Sequence, residues 1–231
     1  MNERVAGAAV DSPLPSEEYM RLVSGDRPNL QEHFDWVGRL LAETLENAEM
    51  LEPGSRLLDI GCGCGRVARH LLDSPIEEYF GFDRHAGMIQ WAQAHIGGSD
   101  NRFRFQHVDV QSGYEEVDGE AGLVSAAEFV FPCDDGAFTG ALAASLFTHM
   151  DFAGTSRYLR ETARVLAAGG RFGATVFLDE TTGSMEGSGW NFVTREDDVR
   201  EAIERAGFEI LRFDPPPPPS RQTWMLLEKP R

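Results

Sequence analysis

Apolar and polar positions along this chain follow two periods in turn. Short apolar runs at Arg56–Ile60, 79–82, 103–108, 140–147, 171–178, 208–213 and Thr223–Glu228 read as strands. Helical spacing fills most gaps between them. Residues 66–73 predict a helix, and so do residues 86–95, where Met88, Ile89, Ala92 and Ile96 share a face. Residues 155–166 carry the stripe Tyr158, Leu159, Thr162, Val165 and Leu166, with Gly169-Gly170 as the expected stop. Thr194 is the expected cap of a helix over 195–206.

Strands alternating with helices predict an α/β fold, a doubly wound Rossmann-like sheet with helices on both faces. The last two strands have no helix between them. Prolines 215–219 fill the link, and so tight a connection lets the final strand run antiparallel to its neighbour. Residues 1–15 read as a disordered leader. Residues 16–50 hold two helical stretches, 17–23 and 30–45, and read as an N-terminal helical cap or lid. Residues 51–231 form the main domain. Residues 111–132 make an unusually long connection, a second candidate to cover a ligand.

Composition narrows the functional classes. The hydrophobic share of 42% and aromatic share of 10% are ordinary for a soluble domain. No apolar run approaches the roughly 20 residues that span a bilayer. The first residues lack a basic start followed by an apolar stretch, so no signal peptide is expected, no membrane partner, and a cytoplasmic location. The net charge of −17 repels phosphate backbones, which makes nucleic acid a poor partner. Three cysteines, Cys62, Cys64 and Cys133, give neither a disulfide framework nor four zinc ligands, so no metal is expected.

The informative motif is Leu57-Leu58-Asp59-Ile60-Gly61-Cys62-Gly63-Cys64-Gly65-Arg66. A buried strand ends in an acid, and a loop with glycine at every second position follows. Such a loop lets a ligand approach the backbone at the carboxyl end of a strand. Dinucleotide-binding dehydrogenases also use a glycine loop, but their G-x-G-x-x-G spacing would require glycine at position 66, where Arg66 stands.

The pattern D-x-G-x-G-x-G resembles motif I of the class I S-adenosylmethionine-dependent methyltransferases. Two more stations resemble that family: Tyr79-Phe80-Gly81-Phe82-Asp83 and Phe105-Gln106-His107-Val108-Asp109-Val110. So do Ser145-Leu146-Phe147-Thr148-His149-Met150 and the helix-Gly-Gly-strand punctuation around Gly169. The resemblance covers about residues 50 to 230. It implies a seven-stranded sheet with the last strand antiparallel, and S-adenosylmethionine as cofactor with S-adenosylhomocysteine as product. It places the cofactor against Asp59, Gly61, Cys62, Gly63, Gly65, Asp83, Arg84, Met88, Asp109, Val110 and Ser145. Asp83 would hold the ribose, Asp109 the adenine amino group, and Asp59 the ammonium. One departure stands out: Phe138 is followed by Thr139 and Gly140, where many members carry Asp.

The implied reaction is in-line methyl transfer to a small-molecule acceptor through an O-, N- or C-atom. His149 is the candidate general base, because it follows the fourth strand and can titrate near neutrality. Tyr19, Phe34, Tyr114 and Trp190 are candidates to line the acceptor pocket, with Trp36 beside them. Asp134 and Asp135, before Gly136, read as a turn. Two alternatives stay open: a non-catalytic S-adenosylmethionine-binding partner protein, and a nicotinamide-dependent oxidoreductase. Monomer and homodimer are both open.

Overall fold

The computed structural model describes residues 13–111, 124–178, 192–215 and 221–231. The leader up to residue 12, Tyr114, Trp190 and most of the proline run lie outside the described residues.

Helix α1 (Glu17–Ser24) opens where the Ser16 side chain accepts a hydrogen bond from the Tyr19 N–H at 3.3 Å, with Glu17 and Glu18 in its positive first turn. Helix α2 (Leu30–Asn47) buries Leu30, Phe34, Gly38, Leu41 and Leu45, the spacing of one helical face. The sheet comprises β1 (Arg56–Ile60), β2 (Glu78–Asp83), β3 (Phe103–His107), β4 (Phe138–Ala143), β5 (Leu166–Leu178), β6 (Val193–Thr194), β7 (Glu209–Asp214) and β8 (Thr223–Glu228). Helix α3 (Ala86–Ala92) links β2 to β3, α4 (Phe152–Val165) links β4 to β5, and α5 (Glu196–Arg205) precedes β7.

The strand order is β3-β2-β1-β4-β5-β8-β7, with the two-residue β6 pairing beside β5. All pairs are parallel except those made by β8, which is antiparallel to both β5 and β7. This is the seven-stranded doubly wound sheet with a reversed last strand. The chain winds outward from β1 to β3, then returns to lay β4 on the other side of β1. The β1–β4 boundary is the switch point where open α/β sheets bind ligands at the carboxyl ends of their strands.

Strand alternation splits the core. Leu58, Ile60, Phe80 and Phe82 face α4 and α5, packing with Tyr158, Leu159, Val199 and Ile203. Leu57 and Tyr79 face the other side, packing with Leu41 and Leu45 of α2 and Ile89 and Ala92 of α3. The expected helical cap is therefore continuous with the core on this face. Gly38 lets α2 come close: a Cβ there would lie 2.5 Å from the Arg66 carbonyl oxygen.

Several expected boundaries move. Residues 66–73 form turns and one 3-10 turn at Ala68–His70, not an α-helix. Their backbone is set by α2, where Asp35 pairs with Arg69 and faces His70. Strand β4 starts and stops earlier than expected, because Ser145 adopts a left-handed conformation (φ 58) that breaks extension. Gly169-Gly170 does not stop α4, which ends at Val165; the pair sits within β5 where the register against β4 shifts between Phe138 and Gly140. Thr194 pairs with Leu178 in the sheet, and Arg195 takes the N-cap position of α5.

Candidate functional site

A cavity of about 420 Å³ lies over the carboxyl ends of β1, β2 and β4. Asp59, Gly61, Cys62, Gly63 and Arg66 contribute from the tip of β1 and its loop. Asp83, Arg84, His85 and Met88 come from the tip of β2 and α3, and Val108 and Val110 from beyond β3. Ser145, Leu146, His149 and Met150 come from the segment after β4.

Hydrogen bonds between neighbouring tips fix the polar wall. The N–H groups of Gly61 and Cys62 donate to the Phe82 carbonyl at 2.9 and 3.1 Å. The Asp83 carboxylate accepts from the Gly63 N–H at 2.9 Å through one oxygen and from the His85 N–H at 2.8 Å through the other. The Val108 N–H donates to the Asp83 carbonyl at 3.0 Å, and Arg84 Nε donates to the Val110 carbonyl at 3.1 Å. His85 Nδ1 in turn accepts from the Met88 N–H at the start of α3.

Two loop glycines serve different ends. A Cβ on Gly63 would project beside Val23 and Met88, whose atoms lie at 3.4 and 3.6 Å, so its absence keeps the loop open to the cavity. Gly65 (φ +76) does not line the cavity. A Cβ there would sit 2.6 Å from Ile96, which makes it a packing glycine and removes it from the expected contact set.

Burial and charge set the electrostatics. Asp59 is buried and accepts a hydrogen bond from the Tyr79 hydroxyl. Burial pushes its carboxyl up to about 7, against the pull of the Tyr79 hydrogen bond and the Arg66 charge and with a further push from Asp83. Burial also raises the Asp83 carboxyl, although the His85 and Gly63 N–H groups oppose it. The Cys62 thiol is raised well above its ordinary value, first by burial and then by Asp59 and Asp83. It is an inert wall, not a nucleophile.

The other expected residues divide. Met88, Val110, Ser145 and His149 face the cavity. The Ser145 N–H donates to Thr175 Oγ1 at 2.7 Å, and its hydroxyl lies 3.1 Å from Gln222 Oε1. Asp109 is a correction: its side chain is 72% exposed and outside the cavity, while Val108 and Val110 on either side are buried against it. Extended backbone turns alternate side chains to opposite sides, so the acid points out where the valines point in. Phe34 is a second correction. It is fully buried among Met20, Leu30, Cys64 and Met88, so it is core and not acceptor pocket. Tyr19 packs edge-on to His85 and against Gly87, and α1 meets the cavity instead through Leu22 and Val23.

Sequence reasoning missed Arg66 as a cavity wall, along with Leu22, Val23, Tyr158 and Phe192. Arg66 directly follows the last loop glycine, and that adjacency was its available signal. Phe192 reaches the cavity because its N–H donates to the Thr148 carbonyl at 2.8 Å. Among the described residues no group of three or more His, Cys, Asp or Glu is placed to hold a metal ion. No helix among them is long and apolar enough to cross a membrane.

A doubly wound sheet with a glycine loop and an acid at the next strand tip defines a nucleoside-binding class. Residues 58–174 match the family model described as a methyltransferase domain, half of the chain, and the chain belongs to that family, the class I S-adenosylmethionine-dependent methyltransferases. The sterol 24-C-methyltransferase erg6 of Schizosaccharomyces pombe is 26% identical over 177 residues, covering 71% of this chain and 42% of that protein. The chain thus spans about two fifths of the length of that curated relative. Magnesium protoporphyrin IX methyltransferase (ChlM) from Synechocystis PCC 6803, solved with bound S-adenosylmethionine, superposes with a TM-score of 0.62 at 16% identity, covering 92% of this chain and 90% of that one. The [4+2]-cyclase SpnF superposes with a TM-score of 0.64 at 21% identity, covering 83% and 80%. At such identities the structural likeness concerns the fold. A cyclase among the neighbours illustrates why function has to be argued from the site.

Proposed function

We propose that this chain binds S-adenosylmethionine in the cavity over β1 and β2 and transfers its methyl group to a small-molecule acceptor. The observation that carries the reading is the convergence of Gly63, Asp83 and Asp59 on one cavity whose far end is mostly apolar. S-Adenosylmethionine, when bound, supplies a sulfonium methyl that is already electrophilic. The protein's part is to hold, align and keep dry. Asp83 would hold the ribose hydroxyls, with charge-assisted hydrogen bonds worth roughly 1.5–3 kcal/mol each. Met88 and Val110 would flank the base. Asp59 would face the ammonium. Leu22, Leu146, Met150 and Phe192 would exclude water around the acceptor, and alignment of that kind can supply roughly 7–11 kcal/mol of a barrier. His149, at the end of the short turn Phe147–His149 and on the cavity wall, would take a proton from an acceptor that needs it.

The test has two parts. Thermal unfolding with S-adenosylhomocysteine at 100 times its dissociation constant is expected to show about 2.7 kcal/mol of added stability, and NAD at the same concentration none. Methyl transfer from labelled S-adenosylmethionine to a panel of apolar-bodied alcohols, phenols and amines then tests turnover. Loss of transfer in His149→Ala with unchanged cofactor affinity would assign the base. Absence of any shift with both S-adenosylmethionine and S-adenosylhomocysteine would remove the reading. A shift without turnover on any acceptor would leave a cofactor-binding partner protein.

A further inference from the structure

We propose that Tyr158 is a specificity-determining residue for the methyl acceptor, its hydroxyl donating a hydrogen bond to an uncharged oxygen on an otherwise apolar molecule. This rests on the S-adenosylmethionine reading of the cavity and adds a chemical class for the acceptor.

Tyr158 lies in the middle of α4, is 4% exposed and lines the cavity. Its ring is clamped. Phe131 meets it edge-on with ring centroids 5.0 Å apart, and Phe129 lies at 6.0 Å. The clamp is itself tied to α4. Arg157 Nε donates to the Phe129 carbonyl at 2.8 Å, the Glu161 carboxylate accepts from the Phe131 N–H at 2.9 Å, and Arg164 Nη2 donates to the Phe131 carbonyl at 3.2 Å. One turn before Tyr158, Gly154 lets Met150 and Ala126 close on the helix: a Cβ there would lie 2.7 Å from Met150 Cγ and 3.0 Å from Ala126 Cβ. Met150 and Ala126 line the cavity too.

The ring is thus held on every side, but its hydroxyl is not. Among the described residues that hydroxyl has no hydrogen-bond partner, and it is not sealed from the cavity. A buried tyrosine hydroxyl ordinarily finds a partner, so one is expected to come with the occupant of the cavity. In the cofactor reading the polar groups of the nucleoside and its tail meet the strand tips. Tyr158 comes instead from α4, beside Met150 and Ala126, and the acceptor is the ligand it meets.

Charge selects the partner. The cavity wall carries Asp59, Asp83 and Asp151 as well as Arg66 and Arg84. Of these, Asp83 is the one whose charge acts on the phenol, and burial first and Asp83 second push the hydroxyl above its ordinary value. The group keeps its proton and serves as a donor, not as a base. An anion beside it would be repelled by the Asp83 carboxylate, and a cation would be drawn past a neutral hydroxyl to Asp83 itself. A carbonyl, ether or alcohol oxygen remains. A donor fixed in place before binding loses little freedom when it engages one.

The test uses Y158F in the full chain. Its melting temperature is expected within about 1 °C of wild type, where a hydroxyl that held the fold together would cost a few degrees. Its affinity for S-adenosylhomocysteine should stay within about twofold, since no cofactor hydrogen bond is removed. Both proteins, saturated with S-adenosylhomocysteine, are then titrated with cyclohexanone and with methylenecyclohexane, which has the same shape and no lone pair, while the Leu146 and Met150 methyl signals are followed by NMR. The wild type is expected to prefer the ketone by about 3- to 10-fold, the range of one neutral hydrogen bond, and Y158F to bind the two alike. Cyclohexanecarboxylate should bind more weakly than cyclohexanone, and tighter binding would overturn the uncharged class. A marked loss of stability in Y158F would make the hydroxyl structural, and a loss of S-adenosylhomocysteine affinity would give it to the cofactor; either overturns the proposal. So would a wild type without the ketone preference, a preference that survives in Y158F, or binding of neither ring, all with the cofactor site left standing. A wild type that does not bind S-adenosylhomocysteine would remove the cofactor reading and this proposal with it.

Discussion

The two ends of the cavity are built in different ways. The end formed by the tips of β1, β2 and β3 is polar and tied together by backbone hydrogen bonds between successive segments, from Gly61 to Phe82, Gly63 to Asp83 and Val108 to Asp83. The opposite end is mostly apolar and gathered from distant parts of the chain: Leu22 and Val23 of α1, Leu146 to Met150 after β4, Tyr158 of α4, and Phe192. Its ties run between distant segments, such as Phe192 to Thr148 and Ser145 to Thr175. The first end presents donors and acceptors in fixed positions. The second sets shape by side-chain volume, which changes without disturbing the first.

The largest effect that sharpens this comparison concerns a residue at neither end. Phe34 sits behind the glycine loop, fully buried among Met20, Leu30, Cys64 and Met88. Phe34→Ala is expected to cost about 3–5 kcal/mol of stability, from lost burial plus a cavity. Chemical denaturation measures that cost. The folded fraction should bind S-adenosylhomocysteine within about threefold of wild type. A variant of full stability with altered acceptor preference would instead return Phe34 to the acceptor pocket.

Asp83 comes next. Its carboxylate fastens Gly63 to the start of α3 and lines the cavity, so removing it strikes the ordered end twice if the cofactor is held as proposed. Asp83→Ala is expected to weaken S-adenosylhomocysteine by about 30-fold, close to 2 kcal/mol, and to lower the melting temperature by a few degrees. Asp83→Asn keeps one acceptor oxygen and should fall between. Wild-type affinity in Asp83→Ala would show that the strand-tip hydrogen bonds do not organise the cofactor end.

The same contrast explains what was legible in the sequence. The β1 loop and Asp83 were readable because glycine spacing and strand-end acids are local patterns, and their consequences are local. The layered, mostly parallel sheet followed from the alternation of periods, and the helix-free proline link left room for a reversed last strand; the strand order itself was not read. Asp109 was misplaced for a reason the sequence contained: valines on both sides of it, at period two, mark those positions as inward and the acid as outward. Phe34 also lies on a helical stripe with Leu30, Leu41 and Leu45, which is the signature of core. The segment 66–73 was not readable. Its backbone follows from Asp35 of α2 pairing with Arg69, a contact between segments 34 residues apart, and tertiary contact overrides helical propensity. The far end of the cavity was opaque for the same reason, since Leu22, Tyr158 and Phe192 meet only after folding.

The smallest expected effect tests how the polar end is charged. Burial holds the Asp59 carboxyl at about 7 in the folded chain, against about 3.9 for an exposed aspartate. Between those values the native state keeps a proton that the unfolded state has lost. The unfolded state then binds fewer protons, so the stability of the ligand-free protein falls as pH rises from about 4 to about 7. A ligand ammonium facing Asp59 reverses the preference, because an opposite charge favours the ionised acid. Binding must therefore release a proton in the pH range where free Asp59 still carries one. Titrations with S-adenosylhomocysteine in buffers of different ionisation enthalpy are expected to show close to one proton released near pH 6 and almost none at pH 8. Asp83 is also raised by burial and adds to any release, so Asp59→Asn separates the two: the part that disappears belongs to Asp59. Heats independent of buffer at pH 6 would mean that Asp59 does not meet the ammonium, and that the polar end grips the ligand through Asp83 and the loop alone.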